Sequence, residues 1–158
     1  SGGEVPEYKG NVTPFDSELS ALAKAVVSKY ETCMDDLRIT EALITVDELV
    51  TRANKYIDET TPWALAKDET KREELASVMN HLANAIYISA QLYAPVLVTA
   101  SNKALDQLGV PENLRGYENV YNFGCIGGVK VNKAEALFPR LDVAVEVEHI
   151  KSIIEGKK

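Results

Sequence analysis

The chain carries few groups that react. Two cysteines, Cys33 and Cys125, and two histidines, His81 and His149, are spread over 158 residues. Cysteines so few and so far apart cannot form a disulfide framework, so a reducing, cytoplasmic setting is the expectation. The histidines lie in separate segments with no cysteine at ligand spacing, which argues against a zinc site of closely paired ligands. The "GCIGG" stretch at 124–128 lacks the length and the lysine of a phosphate-cradling loop. No serine or cysteine stands in a nucleophile motif. The carboxylate pairs Asp35-Asp36 and Glu73-Glu74 are adjacent, and adjacent helical residues do not face each other, so they read as solvated faces. No apolar run approaches the roughly 18 residues of a membrane span, and "SGGEVPEYKG" at the start is not a secretory signal. Positive charge is scarce as well. A net charge of −7 argues against binding polyanions through a broad basic surface, so neither DNA nor a membrane is an expected partner, and any nucleic-acid contact has to be local.

What is present is a core and a helical pattern. Hydrophobic residues make up 46% of the chain and charged ones 26%, the balance of one ordinary globular domain. From Phe15 the apolar positions run Leu19, Leu22, Ala23, Val26, Tyr30, Cys33, Met34 and Leu37, one stripe of an α-helix. Thr13-Pro14 ahead of it supplies a cap and a first-turn proline. On this stripe Cys33 is a small core hydrophobe. A second stripe follows after only "DLR": Ile39, Ala42, Leu43, Val46, Leu49, Val50, Ala53 and Ile57. So short a link predicts an antiparallel helical hairpin. Thr61-Pro62 reads as N-cap and first residue of a short turn through Lys67. A long helix is expected from about Glu69, with Leu75, Val78, Met79, Leu82, Ala85, Ile86, Ala90 and Tyr93 inward and a break at Pro95. A further helix, Val96 to Leu108, ends at Gly109, which suits a C′ position. Beyond Val110 the chain turns to Gly116, Gly124, Gly127, Gly128, Pro111 and Pro139, predicting short extended pieces about a Gly127-Gly128 turn. A last amphipathic helix is expected from Val143 to Ile154. The fold class that follows is all-α: a bundle of four to five helices with a small irregular or β-hairpin appendage. The expected division is a leading loop at 1–13, the bundle at 14–109, an irregular segment at 110–141 and a C-terminal helix at 142–156.

Trp63, the only tryptophan, follows Pro62 and an acidic helix end. A lone tryptophan just inside a helix start is more often packing than platform, and both readings stay open at this point. Nearby Arg52, Lys55 and Lys67 are either phosphate contacts or a solvated helix face. From Val50 to Arg72 five basic residues meet four acidic ones, so charge does not separate the two.

The block "ANKYIDETTPWALAKDE", Ala53 to Glu69, combines three features. Asn-x-Tyr closes one helix, an acidic link follows, and Pro-Trp opens the next turn with a lysine beyond it. Together with "LFPRLD" at 137–142, it resembles the anticodon-binding domain of class I methionyl-tRNA synthetases. The resemblance extends over nearly the whole chain, through "GGEVPEYKG", "ELASVMNHLANAIYISAQLYAPVLVTASNKALDQLG" and "GGVKVNKAEALFPRLDVAVEVEHIKSIIEG". Ala136 departs from it, standing where proline is common.

The resemblance implies a domain that reads the CAU anticodon of tRNA(Met). Trp63 would pack against the first anticodon base, while Pro62 and Asn54 hold the corner in shape and Arg140 lies towards the tRNA side. It also implies that the Asn-x-x-x-Arg pair that selects that base lies outside this chain, as does the catalytic domain that uses ATP and Mg. The parent catalytic domain would be a partner in cis, and this segment alone would hold no cofactor and catalyse nothing. The alternative is a helical protein-interaction module without RNA binding, in which Trp63 is core.

Overall fold

The computed structural model describes residues 3–156. Five helices of eleven or more residues make up most of it: α1 (Asp16–Asp35), α2 (Ile39–Thr60), α4 (Arg72–Tyr93), α5 (Val98–Leu108) and α6 (Val143–Glu155). A single helical turn, α3 (Pro62–Leu65), and a 3-10 turn at Glu69–Lys71 link α2 to α4.

Helices α1 and α2 form the antiparallel hairpin that their short link requires. Their register is visible in cross-pairs: Lys29 with Glu48 at 2.8 Å and Arg52 with Glu18 at 2.9 Å. The stripe of α1 buries Leu19, Ala23, Val26, Tyr30 and Cys33 as expected, with Val27 beside them. Leu37 departs from it. It sits in the turn at φ +60° and is exposed, because the chain has to reverse there within three residues.

On α2 the buried face is Ala42, Thr45, Val46, Leu49, Arg52, Tyr56 and Thr60. That is rotated from the apolar stripe, and Ile39 and Val50 are exposed. Helix α4 shows the same rotation. It buries Val78, Ala85 and Ala90, but also Asn80, His81, Asn84, Tyr87, Ile88 and Leu92, whereas Met79 and Ile86 are exposed. The reason is that loops, not helices, cover one side of α4. Asn80 donates from its amide to the Pro6 carbonyl at 2.6 Å, the Gly124 N–H donates to Asn84 at 2.9 Å, and the Tyr87 hydroxyl donates to the Leu114 carbonyl at 2.5 Å. Irregular backbone has carbonyls and N–H groups to satisfy, and buried amides and hydroxyls on α4 satisfy them. Burial accordingly pushes the Tyr87 hydroxyl up to about 12. His81 packs among Tyr8, Tyr56 and Phe123, its Nδ1–H 2.8 Å from the Ser77 carbonyl.

Pro95 separates α4 from α5, and Gly109 closes α5 in the left-handed region at φ +70°. The irregular segment has no hairpin about Gly127-Gly128 among the described residues. It holds 3-10 turns at Glu112–Leu114 and Tyr117–Tyr121, and its extended part pairs with the leading segment instead. Val5 N–H donates to the Val129 carbonyl at 2.9 Å, Gly128 N–H to the Val5 carbonyl at 2.8 Å, and an antiparallel bridge joins Glu4 and Lys130. A Cβ on Gly109 would collide with the Lys130 carbonyl oxygen in this arrangement. Gly109→Ala is therefore expected to cost about 2 kcal/mol, from the left-handed backbone and the displaced backbone at Lys130 together, measured by urea unfolding. A loss under half of that would mean that the 128–131 stretch is not held against α5.

Candidate nucleic-acid interface

The connection from α2 to α4 is a tight corner. Thr61 ends α2 at φ +43°, with its N–H donating to the Ile57 carbonyl at 2.9 Å. A β-branched residue in the left-handed region is an outlier that only a well-determined environment sustains. Pro62 then takes the first helical position of α3, where a missing N–H costs nothing. Ala64 and Leu65 N–H groups both bond the Thr61 carbonyl, and Leu65 packs on the core. Asp68 caps the following 3-10 turn by accepting from the Thr70 N–H at 2.9 Å.

This corner carries Trp63 outward. Trp63 is 57% exposed and lies outside the buried core, so it is not a core packing residue. Lys55 and Lys67 are also exposed, and the ammonium of Lys55 lies 3.5 Å from Glu59. Arg140 is exposed too, but it lies in the stretch leading to α6, a different part of the chain. Asn54 is exposed and lines an apolar groove of about 730 Å³, whose walls include neither Pro62 nor Trp63. The structure therefore does not gather Asn54 and Trp63 into one cavity.

Arg52 requires a correction. It is 7% exposed, with one guanidinium nitrogen 2.9 Å from Glu18 and another 2.9 Å from Glu59. Its carbon lies 5.9 Å from the centre of the Tyr56 ring. That charge is committed inside the hairpin and is not offered to a phosphate. An arginine two turns before a helix end looks exposed in sequence. Glu18 of the opposing α1 and Glu59 of its own helix draw it in.

Beneath the corner lies a group that the apolar pattern passed over. Asp16 is wholly buried and accepts from the Val12 N–H at 2.8 Å and the Thr13 N–H at 2.9 Å. It also accepts from the Thr13 hydroxyl, from Tyr56 at 2.6 Å and from Ser77 at 2.6 Å. Burial alone would raise its carboxyl, yet the hydroxyls of Ser77, Thr13 and Tyr56 and the Thr13 N–H together hold it at about 2. Burial and the Asp16 charge push the Tyr56 hydroxyl upward in turn. One signal could have flagged this residue: Thr13-x-x-Asp16 ahead of an apolar run is a capping-box pattern.

The groove is formed by Val50, Ala53 and Ile57 of α2, Met79 and Ile86 of α4, the α5 face and Gly3–Pro6. It accounts for Val50, Met79 and Ile86, which the stripes placed inward and the structure leaves open. On α6, Val147, Ile150, Ile153 and Ile154 are likewise exposed. No helix among the described residues is long and apolar enough to cross a membrane.

Comparison with known proteins places this geometry. Residues 5–145 match the family model described as the anticodon binding domain of methionyl tRNA ligase. The chain is 45% identical over 157 residues to a methionine–tRNA ligase of Halalkalibacterium halodurans, covering 99% of this chain and 24% of that protein. It is 47% identical to the methionine–tRNA ligase of Listeria monocytogenes, covering 98% and 24%. The apo crystal structure of Mycobacterium tuberculosis methionyl-tRNA synthetase superposes with a TM-score of 0.81 at 26% identity, over 89% of this chain and 28% of that one. The chain thus spans about a quarter of the length of the relatives it matches. An all-α bundle whose Pro-Trp corner projects from the end of a helical hairpin, matched over 5–145, belongs to the family of anticodon-binding domains of methionyl-tRNA ligases.

Proposed function

We propose that this chain binds the CAU anticodon loop of tRNA(Met), with Trp63 as a stacking platform and Lys55 and Lys67 as nearby phosphate contacts. The observation that carries the reading is the exposure of Trp63 on a proline-anchored turn within a family whose domain is named for anticodon binding. Anticodon bases are unpaired, and proteins read such bases by splaying them onto aromatic faces. A π-face does not identify the base, so Trp63 supplies affinity while selection needs hydrogen-bonding groups beyond this corner. Pro62 fixes the turn, and Asn54 borders the groove rather than the ring. Arg140 stands towards the tRNA side only by the family resemblance. Methionine attachment, with its ATP and Mg, would belong to the catalytic domain of a longer protein. The apolar groove would then receive polypeptide of that same protein in cis, since relatives carry about three quarters of their length outside the matched region.

Titrating the domain with a labelled CAU stem-loop, against a stem-loop of scrambled anticodon, tests the RNA reading. Binding is expected on the order of tens of micromolar, the range of weakly specific electrostatic contacts, with quenching of Trp63 saturating in parallel. A Trp63 emission indifferent to both RNAs would instead favour a protein-interaction module built on the groove.

A further inference from the structure

Both anchors of the Pro-Trp corner, the end of α2 and the start of α4, are tied to one buried carboxylate. Asp16 at the head of α1 accepts from Tyr56 in the penultimate turn of α2 and from Ser77 in the second turn of α4, each at 2.6 Å. From Tyr56 the connection runs on through the backbone. The Thr60 hydroxyl donates to the Tyr56 carbonyl at 2.6 Å, and Thr60 directly precedes the left-handed Thr61. Arg52, over the Tyr56 ring and paired with Glu18 and Glu59, closes the other side of the same turn.

We infer that Asp16, acting through Tyr56 and Thr60, is the positioning element that sets the direction in which Trp63 is displayed. The consequence for RNA rests on the stacking function proposed above; the effect on Trp63 itself does not. Residues 61–71 hold their own turns through local backbone bonds, but little in them anchors the corner to the rest of the bundle. α3 is one turn long, Thr61 is held against its backbone preference, and only Leu65 reaches the core. Such a backbone persists because its surroundings over-determine it. Here the determination comes from outside the corner, from a carboxylate that fixes both its ends.

The single tryptophan makes this directly readable. Tyr56→Phe removes one hydroxyl and leaves the ring in place, and Thr60→Val removes the other. Val26→Ala, in mid-α1, lowers stability away from the corner. Time-resolved anisotropy of Trp63 in the free domain is the primary measurement. In Tyr56→Phe and Thr60→Val the amplitude of nanosecond wobble should rise about twofold on a motion of loop type, whereas Val26→Ala should lower Tm with the wobble unchanged. Affinity for the CAU stem-loop should fall about threefold to tenfold in the first two variants, the equivalent of one net hydrogen bond. Unchanged anisotropy in Tyr56→Phe and Thr60→Val, or an equal change in Val26→Ala, overturns the inference. If Tyr56→Phe does not fold, Thr60→Val decides alone. If wild-type protein ignores the stem-loop, the RNA reading fails while the anisotropy result still judges the positioning.

Discussion

Replacing Asp16 with alanine is expected to cost about 3–5 kcal/mol, a large part of what holds a domain of this size together. The carboxylate accepts bonds from two backbone N–H groups and three hydroxyls, and it is wholly buried. Deleting it strands the Tyr56 and Ser77 hydroxyls away from water, and each stranded group costs about 1–3 kcal/mol. The same residue sets an acid limb. Its folded carboxyl titrates at about 2, below the ordinary value of 3.8. A depressed carboxylate stabilises the fold fully above its unfolded value and loses that contribution as pH falls towards the folded one. Stability should therefore drop by about 2 kcal/mol between about pH 4 and 2. Urea unfolding across that window should show the drop in the wild type and a flatter profile in Asp16→Ala. A variant that loses less than about 1 kcal/mol, with the acid limb intact, would mean that solvent reaches the site and replaces the carboxylate.

Trp63→Ala should behave in the opposite way. Trp63 is more than half exposed, so stability should move by no more than about 0.5 kcal/mol. Stem-loop affinity, however, should fall about 5-fold to 150-fold, because one base–aromatic stack is worth about 1–3 kcal/mol. Trp63→Phe should recover part of the loss, since a smaller π-face still stacks. Thermal unfolding and fluorescence titration on the same preparations separate the outcomes. A marked fall in Tm with unchanged RNA affinity would make Trp63 a structural residue and remove the carrying observation from the proposed function.

Set side by side, Asp16 and Trp63 show where pattern reading succeeds. Trp63 stands out in sequence because it is unique, follows a proline and lies in a block that resembles a known domain. Its exposure, though, could not be read there, because the neighbours that would bury it lie elsewhere in the chain. Asp16 looks like one acidic residue among many at a helix start, and its partners Tyr56 and Ser77 lie 40 and 61 residues away. Arg52 shows the same limit with the opposite sign: a basic residue near the Pro-Trp corner turns out to be an internal tie to Glu18.

The sequence by itself determined that the chain is helical, several of its helix boundaries, and the family to which it belongs. Those properties are local. A period of 3.6 residues, Pro62 and Pro95 at helix boundaries, and a left-handed glycine at 109 act within a turn or two of themselves. For α1 the apolar stripe already marked the inner face, but tertiary structure alone decided it for α2 and α4. The apolar stripes of α2 and α4 face an open groove at Val50, Met79 and Ile86, and polar side chains were drawn inward to serve the loops and the corner. Burial depends on what lies opposite, and an amide or carboxylate is stable inside once the backbone groups it meets need a partner.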